Sequence, residues 1–181
     1  MQKLVIIGAR DHAREVHDAV LDINEQTPMW DFLGFIGDGK VDARAITERG
    51  EKILGDLQQI ESLGIDPRDV FYIIGIGSTR DRQRIDQFLS ERGYAAVSIV
   101  HPRAHIGSRS EIGPGCYIAP LAAVMTSAKL GRHVHLNVSA SVSHDSELGS
   151  YANMNPGARV FGRVIIGEGT VIGGNASVRE R

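Results

Sequence analysis

The sequence predicts a chain in two parts, an α/β domain of Rossmann type followed by a parallel β-helix built from hexapeptide repeats. Two observations support this fold class. In the first half, short apolar runs that end in glycine alternate with amphipathic helical patterns, as in a parallel sheet with crossover helices. In the second half, every sixth residue from Ile106 to Val178 is aliphatic. A six-residue period is typical of strand and turn units, three of which close one coil.

The first half is predicted to alternate strands and helices up to a boundary near His101 and Pro102. The α/β domain is therefore expected at 1–100 and the β-helix at 101–181. The expected elements, in order, are a strand at 3–7, a helix through Val16, Val20 and Ile23, a strand at 32–36, helical turns at 56–63, a strand at 70–76, a helix at 80–92 and a strand at 95–100.

The repeat also predicts which positions fill the coil and which form its corners. Four residues after most aliphatics stands a small residue, as at Ser110, Cys116 and Ala122, and we expect both positions to point inward. The residue directly after the aliphatic is often glycine or asparagine, which tolerate a positive φ. We therefore expect the left-handed corner residues there, at Gly107, Gly113, Gly131, Gly149, Gly167, Gly173, Asn137 and Asn155. The pattern is still in phase at its last residues, so we expect the β-helix to be incomplete at its C-terminal end.

Composition excludes several classes of protein. The 181 residues carry 20 basic and 22 acidic side chains, for a net charge of −2, without the basic patch that a nucleic acid or a membrane surface would need. One cysteine rules out an intramolecular disulfide. We find neither an apolar stretch near membrane-spanning length nor a signal peptide, and we expect a cytoplasmic location.

Short motifs in a fixed order connect the chain to a known family. They are 3–9 (KLVIIGA), 12–16 (HAREV), 34–38 (GFIGD), 74–77 (IGIG), His101-Pro102 and, above all, Ser143-His144-Asp145. The repeat array resembles the left-handed β-helix acyltransferases. The whole chain resembles the sialic acid O-acetyltransferase NeuD family, which includes bacterial nucleotide-amino-sugar N-acetyltransferases. This resemblance implies a homotrimer, acetyl-CoA bound between neighbouring β-helices, and an acceptor sugar held partly by the N-terminal domain.

The candidate catalytic residues lie at one corner of the β-helix. His144 follows the inward Val142 by two residues and should point outward, where a neutral imidazole can act as a general base. Asp145 is placed to support it, although a neighbour on a bend can equally point away. One coil takes three hexapeptides, so position 162 stacks on His144, and Gly162 could donate its N–H to an oxyanion. The resemblance implies the same three roles.

Further residues are assigned to the cofactor and the acceptor from the resemblance. Gly162, Gly174 and Asn153 are expected near acetyl-CoA, with Arg179 or Arg181 near its phosphates, and Asn137 is expected in the cleft. Many relatives have a second histidine where this chain has Asn153, and asparagine cannot serve as a base. A corner residue without a catalytic role is the alternative interpretation of Asn137.

The turn after the first strand suggests an acceptor pocket in the N-terminal domain. Gly8, His12, Asp38 and Gly77 stand near the carboxyl ends of predicted strands, where open α/β sheets bind ligands. Relatives have two glycines in place of Arg10 and Asp11, so the dinucleotide fingerprint is absent. We expect a nucleotide-linked sugar here; a domain that serves only packing is the alternative.

The sequence therefore predicts an acetyl-CoA-dependent acetyltransferase that acts on an amino or hydroxyl group of a sugar. N-acetylation of a nucleotide-linked amino sugar and O-acetylation of sialic acid remain open. Two other classes stay as alternatives, a non-catalytic hexapeptide scaffold and a metal-dependent hydratase. His133 and His135 flank the inward Val134 and should lie outside, but their spacing does not match a β-helix zinc site, and we predict no metal.

Overall fold

The computed structural model describes residues 1–180, which form two units divided between Val97 and Ser98. The first unit contains α-helices α1 to α3, strands β1 to β5 and one 3-10 helix. Their bounds are β1 Gln2–Ile7, α1 Asp11–Gln26, β2 Trp30–Gly37, α2 Ala43–Thr47, β3 Ile53–Asp56, the 3-10 helix Leu57–Leu63, β4 Val70–Ile74, α3 Thr79–Ser90 and β5 Ala95–Ala96.

The first unit is built around one parallel sheet with the strand order β3-β2-β1-β4-β5. This confirms the predicted Rossmann-like fold. Its apolar runs are buried because both faces of such a sheet are covered, and Val5, Ile7, Ile36, Tyr72 and Ile74 belong to one core cluster. The order reverses between β1 and β4, and the turns at their carboxyl ends therefore border a crevice.

The second unit is the predicted left-handed β-helix, which within residues 98–180 has fourteen two-residue strands in three parallel faces. The first face contains β6 Ile99–Val100, β9 Tyr117–Ile118, β12 His135–Leu136, β15 Asn153–Met154 and β18 Val171–Ile172. The second face contains β7 His105–Ile106, β10 Ala123–Val124, β13 Ser141–Val142, β16 Arg159–Val160 and β19 Ser177–Val178. The third face contains β8 Glu111–Ile112, β11 Lys129–Leu130, β14 Glu147–Leu148 and β17 Ile165–Ile166.

Neighbouring strands on each face pair in register one coil apart along the chain, as Val142 does with Val160. The inward aliphatic and small residues stack into one continuous buried cluster that includes Cys116, Val124, Val142 and Val160. Burial of these stacked apolar side chains away from water is the main contribution to the stability of the β-helix.

The predicted position of the left-handed corners is wrong. Residues with positive φ stand three places after each aliphatic, at Arg109, Gly115, Leu121, Ser127, His133, Ser139, Asp145, Tyr151, Gly157, Arg163, Gly169 and Asn175. Four of the glycines directly after the aliphatics, at positions 107, 113, 131 and 149, have a steric cause instead. A Cβ on Gly107 would lie 2.5 Å from the Thr126 nitrogen, and one on Gly131 would lie 2.6 Å from the Ser150 nitrogen. These glycines let successive coils approach each other.

Two other predictions need correction. The strand expected at 95–100 is two strands in different units, since β5 pairs with β4 and β6 pairs with β9. His133 and His135 were expected outside, but both are fully buried. The ring of His133 packs on Gly115 and stacks with Tyr151 at a centroid distance of 5.8 Å, while His135 meets Tyr117 edge to face. These two side chains point outward from the coil, but their aromatic neighbours keep them from solvent.

The sequence also did not reveal α2 and β3, which lie between β2 and the 3-10 helix. The helical turns expected at 56–63 correspond to that 3-10 helix, which begins at Leu57 because Asp56 ends β3. Within residues 1–180, no helix has the length and apolar character required to cross a membrane.

Candidate active site

The turn between β13 and β14 holds His144 at a corner of the β-helix. The next residue, Asp145, adopts the left-handed conformation with φ 58°, which asparagine and aspartate tolerate better than most residues. Backbone hydrogen bonds tie this turn to both neighbouring coils. Asp145 N donates to Thr126 O at 3.2 Å, and Arg163 N donates to His144 O at 3.0 Å. The corner is thus fixed by the coil itself.

His144 and Asp145 contact each other directly. The Nδ1 atom of His144 lies 2.9 Å from Oδ2 of Asp145, and both side chains are about half exposed, at 52% and 49%. A carboxylate at this distance accepts the Nδ1 proton and so favours the tautomer with a free lone pair on Nε2. Of the two orientations that the sequence left open for Asp145, the structure has the one that supports the imidazole.

Gly162 lies against the ring of His144, as the length of one coil predicted. A Cβ on Gly162 would be only 2.7 Å from both Cε1 and Nε2 of His144, so any larger residue would displace the imidazole. The Gly162 N–H donates to no group within residues 1–180. A free amide donor therefore lies beside the nitrogen that can act as a base.

These groups line a small open cavity of about 290 Å³. Its walls are formed by Ser143, His144, Phe161, Gly162, Arg163 and Glu180. Arg179 lies over the ring of Phe161, with its guanidinium carbon 5.7 Å from the ring centroid. The predicted cofactor contact at Arg181 lies outside the described residues.

Three other predicted residues do not line this cavity. Asn137 lies at the turn between the first and second faces, where its Nδ2 donates to Met154 O at 2.8 Å. Asn153 is buried on the first face and donates to Asn155 Oδ1 at 2.9 Å. Gly174 follows β18 and approaches Pro156 O. A single chain brings together His144, Asp145 and Gly162 but leaves Asn137, Asn153 and Gly174 on other sides of the coil.

A second cavity, of about 460 Å³, lies at the crevice of the first unit. It brings together all four residues that the sequence assigned to an acceptor in this domain. Its walls are formed by Gly8, Ala9, Arg10, Asp11, His12, Asp38, Lys40, Gly75, Ile76, Gly77 and Asp81. Sequence reasoning missed Lys40 and Asp81, which follow β2 and begin α3, although the strand-end rule that found Asp38 applies equally there.

The walls of this crevice pocket combine tight backbone turns with charged side chains. Gly8 has φ +105°, and a Cβ there would lie 2.9 Å from the Ile76 side chain. The Asp38 carboxylate forms an ion pair with Arg84. His12 Nδ1 lies 2.8 Å from Glu15 Oε2, and this hydrogen bond lowers the pKa of Glu15 below its ordinary value. No side chain caps the start of α1, which leaves that positive helix end open to the pocket.

Within residues 1–180, no three His, Cys, Asp or Glu side chains form a group that could hold a metal ion.

Residues 3–88 match the family described as the PglD N-terminal domain. A GDP-perosamine N-acetyltransferase of Escherichia coli O157:H7 is 29% identical over 110 residues, which are 61% of this chain and 50% of that protein. The chain thus matches about half the length of this relative.

Solved structures share the whole architecture. The acetyltransferase domain of PglB from Neisseria gonorrhoeae, in complex with acetyl coenzyme A, aligns with 99% of this chain and 93% of its own at a TM-score of 0.77 and 19% identity. PerB from Caulobacter crescentus, in complex with CoA and GDP-perosamine, aligns with 98% of this chain and 89% of its own at a TM-score of 0.76 and 23% identity. At these identities the likeness establishes the fold. Together with the matches in sequence, it confirms the resemblance to the bacterial nucleotide-amino-sugar N-acetyltransferases.

Proposed function

We propose, from that resemblance, that this chain transfers an acetyl group from acetyl-CoA to the amino group of a nucleotide-linked sugar. The observation that carries the proposal is the corner where His144 lies on Gly162 and bonds to Asp145. Solved relatives of the same fold are complexes with acetyl coenzyme A, or with CoA and GDP-perosamine. The alternative acceptor, the hydroxyl of sialic acid, would use the same base but has no counterpart among these relatives.

The geometry supports a direct transfer. Nε2 of His144 takes a proton from the acceptor amine as its nitrogen attacks the thioester carbonyl, and the C–N bond forms. The carbonyl oxygen becomes an oxyanion that accepts a hydrogen bond from the Gly162 N–H, which is free in the structure. The C–S bond then breaks, the amide forms, and the leaving CoA thiolate takes the proton from the imidazolium. Asp145 stabilises the imidazolium while it is charged.

The acceptor's nucleotide is proposed to bind in the crevice pocket of the first unit. Asp38 supplies a carboxylate for hydrogen-bond donors of a ribose or base, and the open start of α1 favours phosphate. Arg10 and Lys40 add positive charge, whereas Asp11 and Asp81 oppose it. The mixed charge fits a ligand that presents both phosphates and neutral hydroxyls.

We also propose a homotrimer, in which a neighbouring copy completes the cleft at His144. The cavity at this corner is small and open, and the remaining predicted contacts for acetyl-CoA lie on other sides of the same coil. A second β-helix beside the corner could bring its own Asn153 and Gly174 to His144. Sedimentation of the purified chain measures this directly.

The central experiment follows thiol release from acetyl-CoA with GDP-linked and UDP-linked amino sugars. We expect turnover with at least one of them, and a kcat lower by about 10²- to 10⁴-fold in His144→Ala. His105→Ala is the matched control, because His105 is an exposed histidine on the second face of the β-helix and lies outside the cavity. Full activity in His144→Ala refutes the mechanism. Activity that a chelator abolishes would favour a metal-dependent enzyme instead.

A further inference from the structure

The first unit buries a complete arginine side chain beside the crevice pocket. Arg82 lies on α3 and is 0% exposed. Its Nη1 donates to Ile76 O at 3.0 Å and to Gly77 O at 2.9 Å. A buried guanidinium is costly unless its donors are paired. These two carbonyls therefore hold the arginine in place, and the arginine in turn holds them.

Both carbonyls belong to the loop between β4 and α3, which forms one wall of the crevice pocket. Gly75, Ile76 and Gly77 line that pocket. The N-terminal end of the loop is fixed by packing, because a Cβ on Gly75 would lie 2.6 Å from the Ala13 Cα and Gly75 N donates to Ile7 O at 2.8 Å. At Gly77, by contrast, a Cβ would meet no atom within 4 Å. A side chain at Gly77 would therefore project into open space, unlike one at Gly75.

The bonds from Arg82 set the direction of two amides. In a planar trans peptide the N–H points opposite to the C=O. Because the carbonyls of Ile76 and Gly77 point to the guanidinium, the N–H groups of Gly77 and Ser78 point away from it. Neither of these amides donates to a group within residues 1–180. Two adjacent free N–H groups thus stand at the start of α3, on the loop that borders the pocket.

We propose that Arg82 is a positioning residue for the acceptor pocket. It acts from the interior, by holding the two peptide units so that the amides of Gly77 and Ser78 can bind phosphate oxygens of the nucleotide sugar. Successive backbone N–H groups at a helix start are well suited to a phosphate. Lysine should not reproduce this contact, because both bonds come from Nη1, and the lysine ammonium is one bond nearer to the Cα and sits on a flexible stem. This inference rests on the proposed function for the identity of the ligand.

The substitution Arg82→Lys tests the inference when the KM of the acceptor and the KM of acetyl-CoA are measured separately. The acceptor KM should rise by about 10- to 100-fold, as expected when binding groups are misplaced. The acetyl-CoA KM and the kcat at saturation should stay at wild-type values, since the lost contact acts equally on ground and transition states. Tyr72→Phe is the control. It removes the buried hydrogen bond of 2.5 Å from the Tyr72 hydroxyl to Asp86 on α3, but it leaves the Arg82 side chain and its two loop carbonyls unchanged.

A second pair of variants tests the amide itself and does not disturb the buried arginine. Ser78 has φ −65°, which proline shares, so Ser78→Pro removes the N–H at an accepted backbone angle. Ser78→Ala loses the same side-chain cap but keeps the N–H. We expect Ser78→Pro to weaken acceptor binding relative to Ser78→Ala, by a factor similar to that of Arg82→Lys relative to the wild type.

Calorimetric binding of GDP and UDP separates this inference from the proposed reaction. If the wild-type chain binds one nucleotide but transfers no acetyl group, the proposed function is refuted. The role of Arg82 is still tested in that case, by comparing the nucleotide Kd of the wild type with those of Arg82→Lys and Ser78→Pro. Weaker binding in both variants supports the inference. Equal Kd values in wild type and variants, or no binding of either nucleotide by the wild type, overturns it. The inference is also overturned if Arg82→Lys lowers the melting temperature, as Tyr72→Phe does, but leaves the acceptor KM unchanged.

Discussion

The substitution Gly162→Ala tests the proposed catalytic corner, because the added Cβ should displace the imidazole ring of His144. A Cβ at this position would lie 2.7 Å from Cε1 and Nε2 of His144, whereas favourable contacts between nonbonded heavy atoms are about 3.5–4.0 Å. The imidazole must therefore retreat by about 1 Å. A displacement of this size at a reacting group lowers turnover by about 100-fold. We expect Gly162→Ala to lose about that factor in kcat with the preferred acceptor.

The same substitution should leave folding almost unchanged. The His144 side chain is 52% exposed, so the ring can move into solvent, and exposed changes of this kind alter the free energy of unfolding by about 0.5 kcal/mol. Gly173→Ala is the matched control, a glycine at another corner where a Cβ would meet no atom within 4 Å. Thiol release gives kcat for both variants, and thermal denaturation gives their stability.

Two outcomes would refute this reasoning. Wild-type kcat in Gly162→Ala would mean that the imidazole does not act from its observed place. A loss of activity that follows a large fall in melting temperature would mean that the corner is structural. Loss of kcat with a wild-type melting temperature, and normal activity in Gly173→Ala, is the result that the stacked geometry predicts.

Two further predictions concern stability. Burial, and then the charge of Arg49, lowers the pKa of His17 from 6.5 to about 4. As the pH falls through this range the unfolded chain binds a proton that the folded chain does not, so stability present above pH 6.5 falls by up to about 3 kcal/mol by pH 4. Denaturant titration at both ends of the range should show this loss, and His17→Gln should reduce it; an equal slope in the variant would exclude His17 as the cause. Gly131→Ala places a Cβ 2.6 Å from the Ser150 nitrogen and should lower the free energy of unfolding by about 1–3 kcal/mol, whereas an unchanged melting temperature would show that the coils can separate there at no cost.

The sequence predicted those parts of the molecule that repeat. The inward aliphatics and the stacking of Gly162 on His144 both follow from the length of one coil, and the structure has both. The period alone does not show which residue of each unit takes the left-handed turn. Composition favours the glycines as the left-handed residues. Steric contact between coils explains four of them, at positions 107, 113, 131 and 149, and residues such as Arg109 and Tyr151 adopt the positive φ.

Other features depend on contacts that no local pattern contains. His133 and His135 are polar residues on outward positions, so periodicity predicts exposure, yet aromatic neighbours one coil away bury them. Arg82 belongs to an amphipathic helix with many charges, and only the structure shows that its guanidinium turns inward to two carbonyls. In the proposed trimer, the positions of Asn137 and Asn153 relative to the cleft depend on a second chain, which the sequence of one chain does not describe.

The left-handed conformation of Asp145 recurs, with a similar φ, three residues after each inward aliphatic from Ile106 to Ile172. The backbone therefore has a similar φ at each of these turns, and the side chains distinguish the turn at His144 from the others. At this turn the side chains are those of His144 and Asp145, and Gly162, one coil later, makes room for the imidazole ring. One coil earlier the same positions hold Thr126 and Ser127, with His144 in the glycine's place. The proposed catalytic corner thus differs from the turn one coil earlier in side chains that lie outside the buried core cluster.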